Sequence, residues 1–129
     1  MNKLNNLLKV VFHLINLILI LFYLYPGSIF GYILYQNFEQ QPQITSDFLY
    51  ISSNHFYAFI ILSISGFLAY YNHKKIYLLI GYLFLLSITL ELFHLIIPQR
   101  GFQLIDLIGN IMGVLIVYII FEFLKRIKF

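Results

Sequence analysis

Between positions 87 and 113 the chain gathers groups that can bind an ion or move a proton. The run reads Glu91-Leu-Phe-His94-Leu-Ile-Ile-Pro98-Gln-Arg100-Gly, followed by Asp106, Asn110 and Gly113. Ser87, Glu91 and His94 recur at i, i+4 and i+7, one face of a helix. Asp106, Asn110, Gly113 and Val117 share a face of the next segment. Among apolar neighbours Glu91 must be protonated or paired. Arg100 offers a planar fork that holds a carboxylate or phosphate through two parallel bonds. Glu91 or His94 beside such an anion could serve as general acid or base. His55 opens the preceding apolar segment. The candidate ligand-binding residues are therefore Glu91, His94, Arg100, Asp106, Asn110 and His55.

Each residue also has a plainer reading. A salt bridge from Arg100 to Glu91 or Asp106 would fix the turn. Asp106 would cap the helix that follows it and complement its dipole. Asn110 would make an interhelical hydrogen bond, Gly101 would let the turn bend, and His55 would be an interface histidine. Glu91-x-x-His94 places both side chains on one face, as in di-metal carboxylate bundles. Those bundles need two such motifs and further glutamates. Here there is one, with only Asp106 and His55 in reserve, so no metal ligand set and no cofactor is expected. A Ser/His/Asp arrangement would need Ser52, Ser53 or Ser87 near a histidine. The spacing singles out none, and no catalytic residue is assigned.

The elements that position these groups follow from composition. The 129 residues are 61% hydrophobic and 10% charged, more apolar surface than a soluble domain of this size can hide. Four apolar segments, each about 17–22 residues long, can cross a bilayer as helices. They lie near Leu7–Tyr25, His55–Tyr71, Ile76–Ile97 and Leu104–Leu124. The expectation is an all-α polytopic membrane protein, a single domain built as a four-helix transmembrane bundle. The N-terminus resembles a signal peptide, but its apolar run is too long and no small-x-small site follows, so it reads as an uncleaved first span.

Charge sets the orientation. Lys3, Lys9, Lys74, Lys75, Lys125, Arg126 and Lys128 flank one side of the spans, and Arg100 alone flanks the other. The positive-inside rule then puts both termini and the Lys74–Lys75 turn in the cytoplasm. The 26–54 loop and the Pro98–Gln103 turn face outward. The basic residues form no stripe with interleaved polar surface, which argues against nucleic acid. With no cysteine there is no disulfide framework and no thiol chemistry.

Span one carries Asn6, Lys9, His13 and Asn16 as a polar stripe facing the bundle or water. Tyr23 and Tyr25 fit an outer aromatic belt, and Tyr70 and Tyr71 an inner one. Pro26-Gly27 ends span one. Ile29, Phe30, Ile33, Leu34 and Phe38 follow at helical spacing, which predicts a short interfacial helix in the outer loop. That loop is an interfacial anchor or a lid over the site. Ser65 and Ala69 form a small-xxx-small pair, and Gly109 and Gly113 a GxxxG pair for close helix packing. Glu91 lies about 9 Å below the outer end of span three at 1.5 Å per residue, and Asn110 lies at a similar depth in span four. The six candidates can therefore meet in one outward-facing pocket.

The segment from Glu91 to Gly113 resembles the signature of the VanZ-like family of small bacterial membrane proteins. There a Glu-x-x-Gln precedes a Pro-x-Arg, then an Asp, an Asn four residues on and a Gly three after that. Glu91, Pro98, Arg100, Asp106, Asn110 and Gly113 match, and His55-Phe56-Tyr57-Ala58-Phe59 resembles the family's His-Phe-x-x-Tyr. His94 stands in place of Gln, Val117 in place of a second Gly, and Ile51-Ser52 in place of an Asp-Lys pair. The resemblance implies a bacterial cytoplasmic membrane and cell-envelope setting, with a link to glycopeptide (teicoplanin) resistance through the namesake. Phosphate chemistry at the outer leaflet means a lipid headgroup or a lipid-linked envelope precursor. The expected function is thus binding of an anionic lipid or lipid-linked glycan. The alternatives are an intramembrane enzyme acting on a lipid phosphate, or a non-catalytic partner or homo-oligomer packing through Gly109 and Gly113.

Overall fold

In the computed structural model, which describes residues 2–127, five helices follow one another: α1 Lys3–Leu24, α2 Ile29–Tyr35, α3 Ser53–Tyr70, α4 Ile76–Phe93 and α5 Leu104–Ile127. Lys128 lies outside the described residues. The all-helical expectation holds among them. α1, α4 and α5 are long and apolar enough to cross a membrane. α3 equals α4 in length but opens on Ser53-Asn54-His55 and carries Ser63 and Ser65, so it is the less apolar helix. It packs mainly against α5 and also against α1, which makes it the centre of the bundle.

The packing is inverted relative to a soluble protein. Ser63, Ser87, Glu91 and Asn110 are fully buried, while Leu14, Leu17, Leu21, Ile64, Leu85 and Ile119 are exposed. An apolar outside around a polar inside suits a hydrocarbon solvent. The apolar core runs through Phe12, Phe59, Leu62, Leu83, Val114 and Phe121.

Contacts fix which ends lie together. His13 Nε2 is 3.0 Å from the Tyr70 hydroxyl, the Lys9 ammonium sits over the Tyr70 ring, and Lys125 donates to the Tyr77 hydroxyl. The start of α1, the 71–75 turn and the end of α5 therefore share one end of the bundle. The Asn16 amide pairs with the Tyr82 hydroxyl at 2.6 Å. From the expected stripe on α1, His13, Asn16 and Lys9 reach other helices, whereas Asn6 is exposed.

α4 stops at Phe93, four residues short of the expected Ile97. Pro98 has no N–H for the carbonyl of His94 and disfavours helical geometry at Ile97. The chain tightens into i→i+3 bonds, His94 N–H to Glu91 O and Leu95 N–H to Leu92 O. This last turn carries His94 into the bundle.

The short outer helix is present as α2, capped by Ser28 Oγ accepting from the Gly31 amide at 2.9 Å. The chain from 36 to 52 is tied to the start of α3. Asp47 accepts from the Ser53 amide, and the Asn54 side chain bridges Pro42 O and the Ile44 amide. Phe48 and Ile51 pair as a one-bridge hairpin whose two tip residues, Leu49 (φ 50) and Tyr50 (φ 59), are left-handed and almost fully exposed.

Gly109 and Gly113 lie against α3. A Cβ at Gly109 would stand 2.7 Å from Ser52 O, and one at Gly113 2.6 Å from Phe56 O. The face expected to dock another membrane protein is thus already covered by the chain's own α3.

Candidate functional site

At the end of the bundle opposite the lysines, α1, α3, α4 and α5 each bring a polar side chain inward. Asn110 anchors the group. Its Nδ2 donates to Ser87 O on α4 at 3.0 Å, so its Oδ1 must face the other way. There Oδ1 accepts from the Tyr23 hydroxyl at 2.6 Å and lies 3.1 Å from His55 Nδ1. An amide oxygen only accepts, so His55 Nδ1 carries a proton. Neutral His55 therefore keeps its lone pair on Nε2. That atom is 3.6 Å from Asp106 Oδ2.

A second chain of contacts runs through His94. Its Nε2 is 2.9 Å from the backbone oxygen of Tyr23, again a pure acceptor. Its Nδ1 is 3.2 Å from Glu91 Oε2. Two lone pairs facing at that distance would repel, so one proton belongs to the pair. His94 and Glu91 are together neutral, as imidazolium with carboxylate or as imidazole with carboxylic acid. The Tyr23 ring stacks on His94 with centroids 5.7 Å apart. Glu91 Oε1 accepts from the Gln103 amide at 3.0 Å, which ties α4 to the start of α5. Glu91 Oε2 has no aligned hydrogen bond, although it is fully buried.

The expected pairing of Arg100 with Glu91 or Asp106 is not what forms. Arg100 Nε donates to Tyr25 O at 3.1 Å, and Nη2 donates to Phe22 O and Gly27 O, both at 2.8 Å. The guanidinium thus caps the C-terminal end of α1, where carbonyls lack helical partners and the dipole favours a cation. No protein acceptor for Nη1 is found among the described residues. Burial lowers the Arg100 pKa from its ordinary value, against the pull of the nearby Tyr23, Glu91 and Asp106. The group stays charged regardless.

Two cavities of about 590 Å³ each meet here. One is apolar, walled by Phe22, Phe30, Leu34, Ala58 and Ile61. The other is polar, walled by Glu39, Gln99, Gln103 and Asp106 among others. Both are lined by His55, His94 and Arg100, and by Gln41, Gln43 and Asn54 from the outer loop and its anchor. Glu91 and Asn110 line neither cavity; they lie behind His55 and His94 and hold them. With both nitrogens of His94 engaged and Glu91 fully buried, neither meets an occupant as a free acid or base. The histidine with a free nitrogen at the cavity is His55. One of its ring nitrogens and one carboxylate oxygen each from Glu91 and Asp106 lie within 4.8 Å of one another.

Tyr23 was expected in an aromatic belt. Instead it is buried, and its hydroxyl sits at the centre of the group, 2.9 Å from His55 Nδ1. The signal was present in the chain: His13, Asn16, Ile20 and Tyr23 continue one helical face. Asp106 sits in the first turn of α5, where its charge complements the dipole.

No family model, no curated protein and no solved structure matches this chain.

Proposed function

We propose that this is a four-span protein of a bacterial cytoplasmic membrane, both termini inside, that binds an anionic lipid or lipid-linked glycan from the outer leaflet. The observation that carries the reading is the junction of an apolar and a polar cavity at His55, His94 and Arg100. An amphiphile needs both environments, and the polar ends of both cavities share the same cation. Arg100 would meet the anionic headgroup through Nη1, while its other donors keep the mouth of the site in shape. The acyl or polyprenyl chain would lie along Phe22, Phe30, Leu34 and Ile61. The order of Glu91, Pro98, Arg100, Asp106, Asn110 and Gly113 supports a VanZ-like assignment. The basic residues at the opposite end support the inward orientation of both termini. The apolar exposure of α3 at Ile61, Ile64 and Leu68 supports its counting as the fourth span.

The test is native mass spectrometry of detergent-released protein beside Ala58→Trp, which fills the apolar cavity without touching the polar one. An anionic lipid or lipid-linked adduct on wild type, lost in Ala58→Trp at unchanged helicity, is the expected result. Equal adducts on both proteins would sink the reading.

A further inference from the structure

We propose that His55, Glu91 and Asp106 form a binding site for one divalent transition-metal ion of the zinc kind, at the inner edge of the polar cavity. The inference does not depend on the lipid reading.

Three observations carry it. First, one nitrogen of His55 and one oxygen from each carboxylate already lie within 4.8 Å of one another, and His55 Nε2 is 3.6 Å from Asp106 Oδ2. Ligand atoms at about 2.0–2.1 Å from a tetrahedral zinc are about 3.3 Å apart. Asp106 and His55 are both partly exposed, so small rotations close the difference. Second, Glu91 is fully buried and its Oε2 has no aligned hydrogen bond, although its Oε1 is held by the Gln103 amide. Its ion pair with His94 Nδ1 at 3.2 Å is not aligned as a hydrogen bond, and a cation would give this buried oxygen a direct partner. Third, the surrounding groups orient the ligands as they do around a histidine-bound metal. His55 Nδ1–H is directed at Tyr23 Oη and Asn110 Oδ1 and lies 3.8 Å from Glu91 Oε2, which leaves Nε2, on the Asp106 side of the ring, as the coordinating nitrogen.

The donor set also fits the charge. Two carboxylates face the divalent ion, with the proton shared by Glu91 and His94 held on His94 Nδ1, and one imidazole with two carboxylates suits zinc or manganese better than calcium or magnesium. Three protein ligands leave a position for water or an anionic oxygen, as in sites that act on a ligand rather than brace a fold. That position would face the cavity, because Asp106 lines it and Glu91 does not.

The test uses the full chain in detergent, stripped with a chelator and titrated with Zn²⁺ and, as a spectroscopic probe, Co²⁺. One ion per chain is expected, with visible Co²⁺ bands of a four- or five-coordinate site. Asp106→Asn should bind at least tenfold more weakly. Tyr23→Phe, which removes the hydroxyl bound to His55 and Asn110 but no ligand, should lose about 10- to 100-fold. His73→Ala, a turn histidine, should bind as wild type. If Asp106→Asn does not fold, ¹⁵N-imidazole spectra of the wild type decide: Zn²⁺ must shift the His55 Nε2 resonance and leave that of His73 in place. A wild type that takes up no ion, an Asp106→Asn that binds equally well, or an ion lost with His73→Ala would each overturn the proposal.

Discussion

His94 Nε2 lies 2.9 Å from the backbone oxygen of Tyr23, which ties the C-terminal end of α4 to the last turn of α1. The same imidazole shields Glu91 from the other side at 3.2 Å. Truncation therefore leaves both a carbonyl and a carboxyl group without a partner in a dry interior. His94→Ala should lower stability by about 3 kcal/mol, the order seen when one member of a buried ionic pair is removed. His94→Gln can still donate to Tyr23 O and should recover part of the loss. Thermal unfolding in detergent reads both.

Arg100 acts on the end of α1 as well as at the cavity. Arg100→Ala frees the carbonyls of Phe22, Tyr25 and Gly27 together. A loss of about 2–4 kcal/mol is expected, from hydrogen bonds that each involve a charged donor. Hydrogen exchange should accelerate at the amides of Tyr25 and Ser28, bonded to Leu21 O and Phe38 O, while membrane insertion is retained. Arg100→Lys should restore little, since an ammonium cannot reproduce the fork.

Glycine substitutions should separate packing from helix propensity. At Gly113 a Cβ would stand 2.6 Å from Phe56 O and 2.9 Å from Phe59 Cβ, so α3 and α5 must part. Gly113→Ala should destabilise by about 1–3 kcal/mol. At Gly81 a Cβ meets nothing within 4 Å. There Gly81→Ala should stabilise α4 by about 0.5–1 kcal/mol. Melting temperatures that move in opposite directions are the expected result.

The crossing and direction of α4 are tested by single cysteines in a chain that has none. His73→Cys and Gly101→Cys sit in turns at opposite ends of the bundle. In intact cells, a membrane-impermeant maleimide should label the second and spare the first. Labelling of both or neither at the outer face would mean another topology.

Much of the bundle was legible from helical spacing, because apolar runs and their breakers at Pro26-Gly27 and Pro98 are local signals. The meeting of His55, Glu91, Asp106 and Asn110 was legible too, since a short turn and a fixed rise put Glu91 and Asn110 at one depth. What escaped depends on the rotation of whole helices. An arginine among acids reads as their partner, yet Arg100 serves carbonyls 73 to 78 residues earlier in the chain. Tyr23 near a helix end reads as a belt residue until packing turns it inward. The glycine pair announced a close neighbour without saying that α3 fills the place.

The hairpin tip at Leu49-Tyr50 bears on how this chain divides its sequence between folding and work. A turn with two successive left-handed residues is the natural place for Asn-Gly, and bulky side chains there cost about 1–3 kcal/mol each. Leu49 and Tyr50 accept that strain while contributing almost nothing to the core, being 87% and 88% exposed. The hairpin is therefore a place where an easy gain in stability has been left untaken. Substituting Asn-Gly there would yield a sturdier protein for biophysical study, and any activity lost with it would belong to the tip alone.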